Sequence, residues 1–187
     1  PRLANNLVKI FVSTLRQGFC LVGTTSEITP IYLNSDTSGE YARKDIEEYG
    51  SSRIYKETGH WFAPQLTLPK LVNLMRVKPE LFDKNTKLLF VHDWLVWKFT
   101  QEVLTEMTLV SAGQLANLGK KEINAHLLDH FGIPETLMPT PRKFGSQVGT
   151  LNSDTQSLLS ASWSSAVLYV GGGDSHFLHM GASGNKA

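Results

Sequence analysis

The sequence predicts an α/β domain carrying a helical insertion. Three observations predict it. Short β-branched apolar runs gather near the start, and helix-period patterns fill the middle. A wholly apolar run, Ala166 to Val170, then returns near the end and meets the glycines Gly171 to Gly173. The expected boundaries are a strand-rich part over 1–60, a helical insertion over 61–140, and a return to the sheet over 141–187.

Taken in order, Val8 to Val12 (VKIFV), Phe19 to Val22 (FCLV) and Glu27 to Leu33 (EITPIYL) read as strands, with a hairpin turn at Gly23 to Ser26. Asp36 sits where a helix can be capped, and Glu40 to Tyr49 is charged and helix-compatible. Leu66 to Val77 puts Leu68, Leu71, Val72 and Met75 on one helical face. Pro79 opens a short helix through Phe82, and Leu88 to Val91 reads as extended. His92 to Phe99 is a helix with Asp93 at its start. Glu122 to Phe131 is another, stopped by Gly132 and Pro134. Pro139 to Gly149 reads as a loop, Ala166 to Val170 as a buried strand broken by the glycines, and Ser175 to Met180 as a helix start. The serines from Ser157 to Ser165 suggest a helix end and a loop.

The 187 residues are 41% hydrophobic and 19% charged, as in ordinary globular domains. A formal charge of +1 gives no reason to expect a nucleic acid or an anionic membrane as partner. The single cysteine, Cys20, allows no internal disulfide and fits a reducing, cytoplasmic setting. No apolar run of about 18 residues suggests a membrane span. The start lacks a signal-peptide pattern and an initiator methionine, so the chain is expected to be part of something longer.

The segment Val170 to Gly184 (VGGGDSHFLHMGASG) carries the most chemistry. Glycines let the backbone turn and let a substrate approach closely. They place Asp174 at a strand end and a helix start, where ligands of α/β sheets bind. A carboxylate there can take a proton from a hydroxyl. A tight turn closed by a capping Asp fits the same residues equally well.

The order of segments resembles the FGGY carbohydrate kinases over nearly the whole chain. STLRQG (13–18) is similar to the segment that brings polar side chains to the sugar. NSD (34–36), Thr58-Gly59, PKLVNLMRVKPEL (69–81), HDWLVWKF (92–99), Thr105-Glu106, GIPETLMP (132–139) and GSQVGT (145–150) follow in family order, and GGGD (171–174) stands where the family's catalytic base sits. LRQG and the Asp-Trp pair resemble the branch of autoinducer-2 kinases and xylulokinase-like proteins most.

The resemblance implies a ribonuclease-H-like, actin-like ATPase fold with a mixed sheet, incomplete at both ends. It implies transfer of the γ-phosphoryl of ATP, with Mg²⁺, to a sugar or polyol hydroxyl. The family's phosphate loop and adenosine-binding domain are missing from this chain, which alone should be inactive. By the resemblance Asp174 is the catalytic base. Arg16, Gln17, Asn34, Gln65, Ser175 and His176 would bind substrate, and members often dimerise. Blander roles stand beside these: a surface ion pair for Arg16, turns for Gln17 and Asn34, caps for Asp36 and Asp93, and core or interface packing for Trp61, Trp94 and Trp97.

The chain departs from the family where Thr37, Ser38 and Gly39 replace an arginine, where Asn73 stands near a usual tryptophan, and where Ser160 to Ser165 replaces a glycine-rich approach. A non-catalytic sugar-binding or regulatory relative is therefore the alternative. No metal site is expected, because the pairs His176/His179 and His126/His130 are each short of the three or four ligands zinc needs. A P-loop and a GxSxG elbow are both absent from the sequence.

Overall fold

The structure, a computed structural model, describes residues 8–159, 163 and 165–184. Strand β1 (Lys9–Thr14) leads to β2 (Phe19–Val22), then a 3₁₀ turn and helix α1 (Arg43–Thr58). Helix α2 (Thr67–Val77), a 3₁₀ turn at Pro79–Leu81, β3 (Lys87–Phe90) and α3 (Val91–Thr100) follow. Then come β4 (Leu104–Thr105), α4 (Met107–Ala112), β5 (Ala116–Asn117), β6 (Glu122–Ile123) and α5 (Ala125–His130). Last are β7 (Thr140–Pro141), β8 (Gln147–Thr150), α6 (Ser153–Ser157), β9 (Val167–Gly173) and α7 (Asp174–Ser183).

The site hangs on a mixed sheet in the order β1-β9-β8, with β1 parallel and β8 antiparallel to β9. Val12, Leu168 and Val170 pack with Val96 of α3 and with Leu104 and Leu151 into a small core. A larger core joins α1, α2, α4 and α5 to β2 and β3. The β2–β3 pair feeds two cores because side chains alternate along a strand. Phe19, Leu21, Leu88 and Phe90 enter the large core, while Cys20, Val22 and Leu89 meet Trp97 on the other face.

Several elements differ from expectation for identifiable reasons. The segment Glu27 to Leu33 is not a continuous strand; it keeps bridges only at Val22–Glu27 and Phe19–Tyr32. Pro30 has no N–H to give, and the Thr29 hydroxyl, not a backbone carbonyl, accepts from the Leu21 N–H at 3.0 Å. The 1–60 part holds more helix than strand, since α1 fills its end with a break at Gly50 (φ 110°). The helix expected from Glu122 begins at Ala125. Glu122 and Ile123 pair with β5, and the Asn124 side chain caps the helix by accepting from Leu127 N–H at 3.2 Å.

The stretch 139–149, read as a loop, contributes β7 and part of β8. Trp97 is core, but Trp61 lies on the surface, 55% exposed and stacked on Tyr55. The serine run ends α6 as expected at Ser157, while 160–162 and 164 lie outside the described residues.

The most telling difference concerns the glycines. They do not break the last strand; β9 runs through Gly173. A Cβ on Gly171 would lie 2.0 Å from the Val12 carbonyl oxygen, so only glycine lets β9 pass this close to β1.

Candidate active site

The C-terminal end of β9 delivers Asp174 as the first residue of α7. The side chain is exposed, and its Oδ1 accepts from the Ser175 N–H at 2.6 Å.

The neighbour that organises the surroundings is Gly173. A Cβ there would meet Arg16 Cγ at 2.8 Å and His176 Nδ1 at 3.1 Å. Arg16 sits on the β1–β2 connection, where it leans over the strand end beside Asp174. His176 lies in the first turn of α7, and its buried Nδ1 has no hydrogen-bond partner among the described residues. It borders a cavity of about 290 Å³ lined also by Met107, Thr108, Ser111, Asn117, Leu118 and Lys121. A larger hollow of about 480 Å³, beside His126, Asp129 and Glu135, does not involve the Asp174 loop.

Arg16, Ser175 and His176 are thus brought together with Asp174. Gln17 and Asn34 belong to an adjoining pair of loops gathered by Lys70, and Gln65 precedes the helix that carries it. The Lys70 ammonium donates to the Leu33 carbonyl at 2.8 Å and to the Gln17 carbonyl at 3.4 Å. Thr67 Oγ1 donates to the same Gln17 carbonyl at 3.3 Å. Gln17 takes a left-handed backbone (φ 67°) in the bend between β1 and β2. Asn34 is exposed beside Leu33, and Gln65 is half-buried ahead of α2. Burial pushes the Lys70 amine down to about 8, with the Asp36 carboxylate acting in the opposite sense. Asp36 also accepts from Ser38 N–H at 2.7 Å, although the residue at the cap position of that 3₁₀ turn is Thr37.

Three groups were given no substrate-site role in the sequence. His60 lies near Arg16 and is held below its ordinary range, first by burial, then by the Arg16 charge, with the Ser111 carbonyl opposing. Glu106 is buried beneath the loop; its carboxylate accepts from Thr108 N–H at 2.9 Å and from the Thr108 hydroxyl. It would lie 3.6 Å from a Cβ on Gly172. His92 and Asp93 are wholly buried and joined at 2.8 Å, and His92 Nε2 accepts from Gly171 N–H at 3.1 Å. Asp93 caps α3 as expected, taking the Phe90 N–H at 3.2 Å. Burial raises its carboxyl, and the His92 ring chiefly offsets that. The only sequence signal for this pair was two polar letters, HD, ahead of the apolar run Trp94 to Trp97.

The fold is shared with solved sugar kinases. A xylulose kinase from Lactobacillus acidophilus superposes with a TM-score of 0.83 at 18% identity, over 94% of this chain and 36% of that one. A glycerol kinase from Plasmodium falciparum, solved with ADP, gives 0.78 at 17% identity, over 88% and 34%. The likeness defines an actin-like α/β domain. The match to the FGGY family of carbohydrate kinases, N-terminal domain, runs over residues 3–181, and the chain belongs to that family.

Curated relatives include a rhamnulokinase from Pectobacterium atrosepticum, 36% identical over 118 residues, 63% of this chain and 24% of that protein. A rhamnulokinase from Enterococcus faecalis is 28% identical over 146 residues, 77% of this chain and 29% of that protein. The chain therefore spans about a quarter of the length of these relatives. Beside the autoinducer-2 and xylulokinase-like branch expected from LRQG, the sequence relatives bring in rhamnulokinases.

Proposed function

We propose that this chain forms most of the sugar-binding domain of an ATP-dependent carbohydrate kinase and that Asp174 is its catalytic base. The observation that carries the reading is an exposed carboxylate at a strand end and helix start, flanked by Arg16 and His176, the latter bordering a largely apolar cavity with a few polar groups on its wall. The carboxylate takes the proton of a sugar hydroxyl as that oxygen bonds to the γ-phosphorus of ATP. The bond from this phosphorus to the bridging oxygen breaks, and its electron pair leaves with ADP. Arg16 donates to substrate oxygens, and Ser175 and His176 line the pocket. Gln17 and Asn34 reach the sugar from the loops tied by Lys70, and Gln65 from the segment ahead of α2.

The described residues offer Mg²⁺ no all-protein cage, and Mg²⁺ in kinases is held largely through nucleotide phosphates. Among the described residues no three His, Cys, Asp or Glu side chains gather to hold a metal. ATP and Mg²⁺ are assigned to the rest of the protein. A cytoplasmic enzyme fits this reading, and no helix among the described residues is long and apolar enough to cross a membrane.

The test is ATP consumption by the full-length protein against pentoses, ketoses, polyols, the autoinducer-2 precursor and, from the names of the relatives, rhamnulose. Turnover with one sugar, falling about 10²–10⁴-fold in Asp174→Asn, is the expected result. Sugar binding without turnover would favour a non-catalytic relative, and unchanged turnover in the variant would remove Asp174 from the mechanism.

A further inference from the structure

We propose that the buried His92–Asp93 pair positions the Asp174 carboxylate, acting through the backbone N–H of Gly171. The proposal rests on the kinase reading above and adds a positioning residue to it.

The register of the sheet sets the problem that the pair solves. Phe11 faces Tyr169, but Ser13 faces Gly172, so Val170 and Gly171 together oppose Val12 alone. This is a β-bulge, a feature that re-aims side chains beside active sites and leaves a residue out of the ladder. A stranded, buried N–H is costly unless something accepts from it. The Gly171 N–H is buried, and His92 Nε2 accepts from it at 3.1 Å.

That one bond determines the state of the ring. A nitrogen that accepts is unprotonated, so the ring proton is on Nδ1. There it donates to Asp93 Oδ1 at 2.8 Å, while Asp93 Oδ2 accepts from Phe90 N–H at 3.2 Å. A continuous chain of hydrogen bonds therefore runs from the start of α3 to the bulge in β9, three residues ahead of Asp174. Capping α3 requires only Asp93. The histidine is needed for the bond to Gly171.

The bulge has little freedom to slip. On one side the Val12 carbonyl lies where a Gly171 Cβ would be. On the other, Gly173 is packed against Arg16 and His176. Losing the His92 acceptor frees the Gly171 N–H to seek another partner, which shifts the strand end and Asp174 with it. A misplacement of about 1 Å at a reacting group can cost about 10²-fold in rate.

The test uses the full-length protein in two parts. The first is the ¹⁵N spectrum of the His92 ring in the wild type near neutral pH, assigned by its loss in His92→Gln. The expected pattern is a protonated Nδ1 and a bare Nε2; a protonated Nε2 overturns the proposal. The second is steady-state kinetics. His92→Leu should lower kcat by roughly 30–100-fold with the sugar KM within about twofold. His92→Gln, whose amide oxygen reaches the Nε2 position, should recover most of that loss. Ile54→Ala, in the other core, should lower stability and leave kcat unchanged.

A folded His92→Leu with kcat within about twofold of wild type overturns the proposal, as does a Gln variant no better than Leu. If the Leu variant does not fold, the Gln variant and the ring spectrum still decide. A wild type inactive on every sugar defeats the kinase reading instead, and the ring spectrum continues to test the pair.

Discussion

The lobe built on α1 and α2 and the sheet end that bears Asp174 are held by different forces. In the lobe, Ile46, Ile54, Leu68, Leu71, Phe90 and Leu109 are all fully buried in one continuous apolar cluster. At the sheet end, α7 buries none of its residues, and Leu178 is 74% exposed. Its position depends on a bulge, a glycine under a carbonyl, and the His92 bond. The lobe is specified by area removed from water. The Asp174 loop is specified by a few directed polar contacts that contribute little bulk stability. Stability and activity should therefore be separable by mutation.

The largest expected effect on stability lies in the lobe. Ile54→Ala removes a fully buried side chain from the large core and should cost about 2–5 kcal/mol. Denaturant unfolding measures this, while kcat of the folded fraction stays at the wild-type value. A fall in kcat beyond the folded fraction would break the separation.

Gly171→Ala tests the other region. The new methyl would meet the Val12 carbonyl, and the strain should cost about 1–3 kcal/mol. Here activity should fall further than stability predicts, because Asp174 follows the same strand. An effect on stability alone would place the loop with the lobe.

Lys70 lies between the two regions and sharpens the comparison. Lys70→Met removes the donor to the Leu33 and Gln17 carbonyls and should raise the sugar KM more than it lowers kcat. The amine is held at about 8, below its ordinary 10.5, because burial disfavours the charge. Its contribution to stability is therefore fully present above about 10.5 and is lost as pH falls through about 8. The wild-type-minus-variant difference in unfolding free energy should climb between those values. A flat difference would show that the amine is not desolvated.

The smallest effect is expected at Glu27. Its carboxylate accepts from Lys98 at 2.6 Å and from Trp94 Nε1 at 2.7 Å, and these bonds lower it from 4.5 to about 2. Its contribution is present above about 4.5 and lost as pH falls through about 2. Because the pair is partly exposed, the effect should be under about 1 kcal/mol. Acid denaturation of Glu27→Gln, compared with wild type over that range, measures it.

Much of this molecule was legible in the sequence because its signals are local. The apolar runs of β2, β3 and β9 and the helical period of α2 appear where expected. Asp93 caps α3, and GGGD puts an acid at a strand end. Elements decided by a partner far along the chain were not legible. β7 exists because β4 is there to pair with Thr140, and Glu122 joins β5 before the helix can claim it.

The candidate site divides the same way. By itself the sequence determined the class of fold, the family resemblance and the acid at Asp174, because periodicity, turn chemistry and motif order are written along the chain. Only the tertiary structure decided that Arg16 and His176 converge on Gly173, that Lys70 ties the Gln17 and Asn34 loops, and that the glycines continue the strand as a bulge. The reason is distance along the chain. His92 and Gly171 are 79 residues apart, and a hydrogen bond between them leaves no local pattern to read.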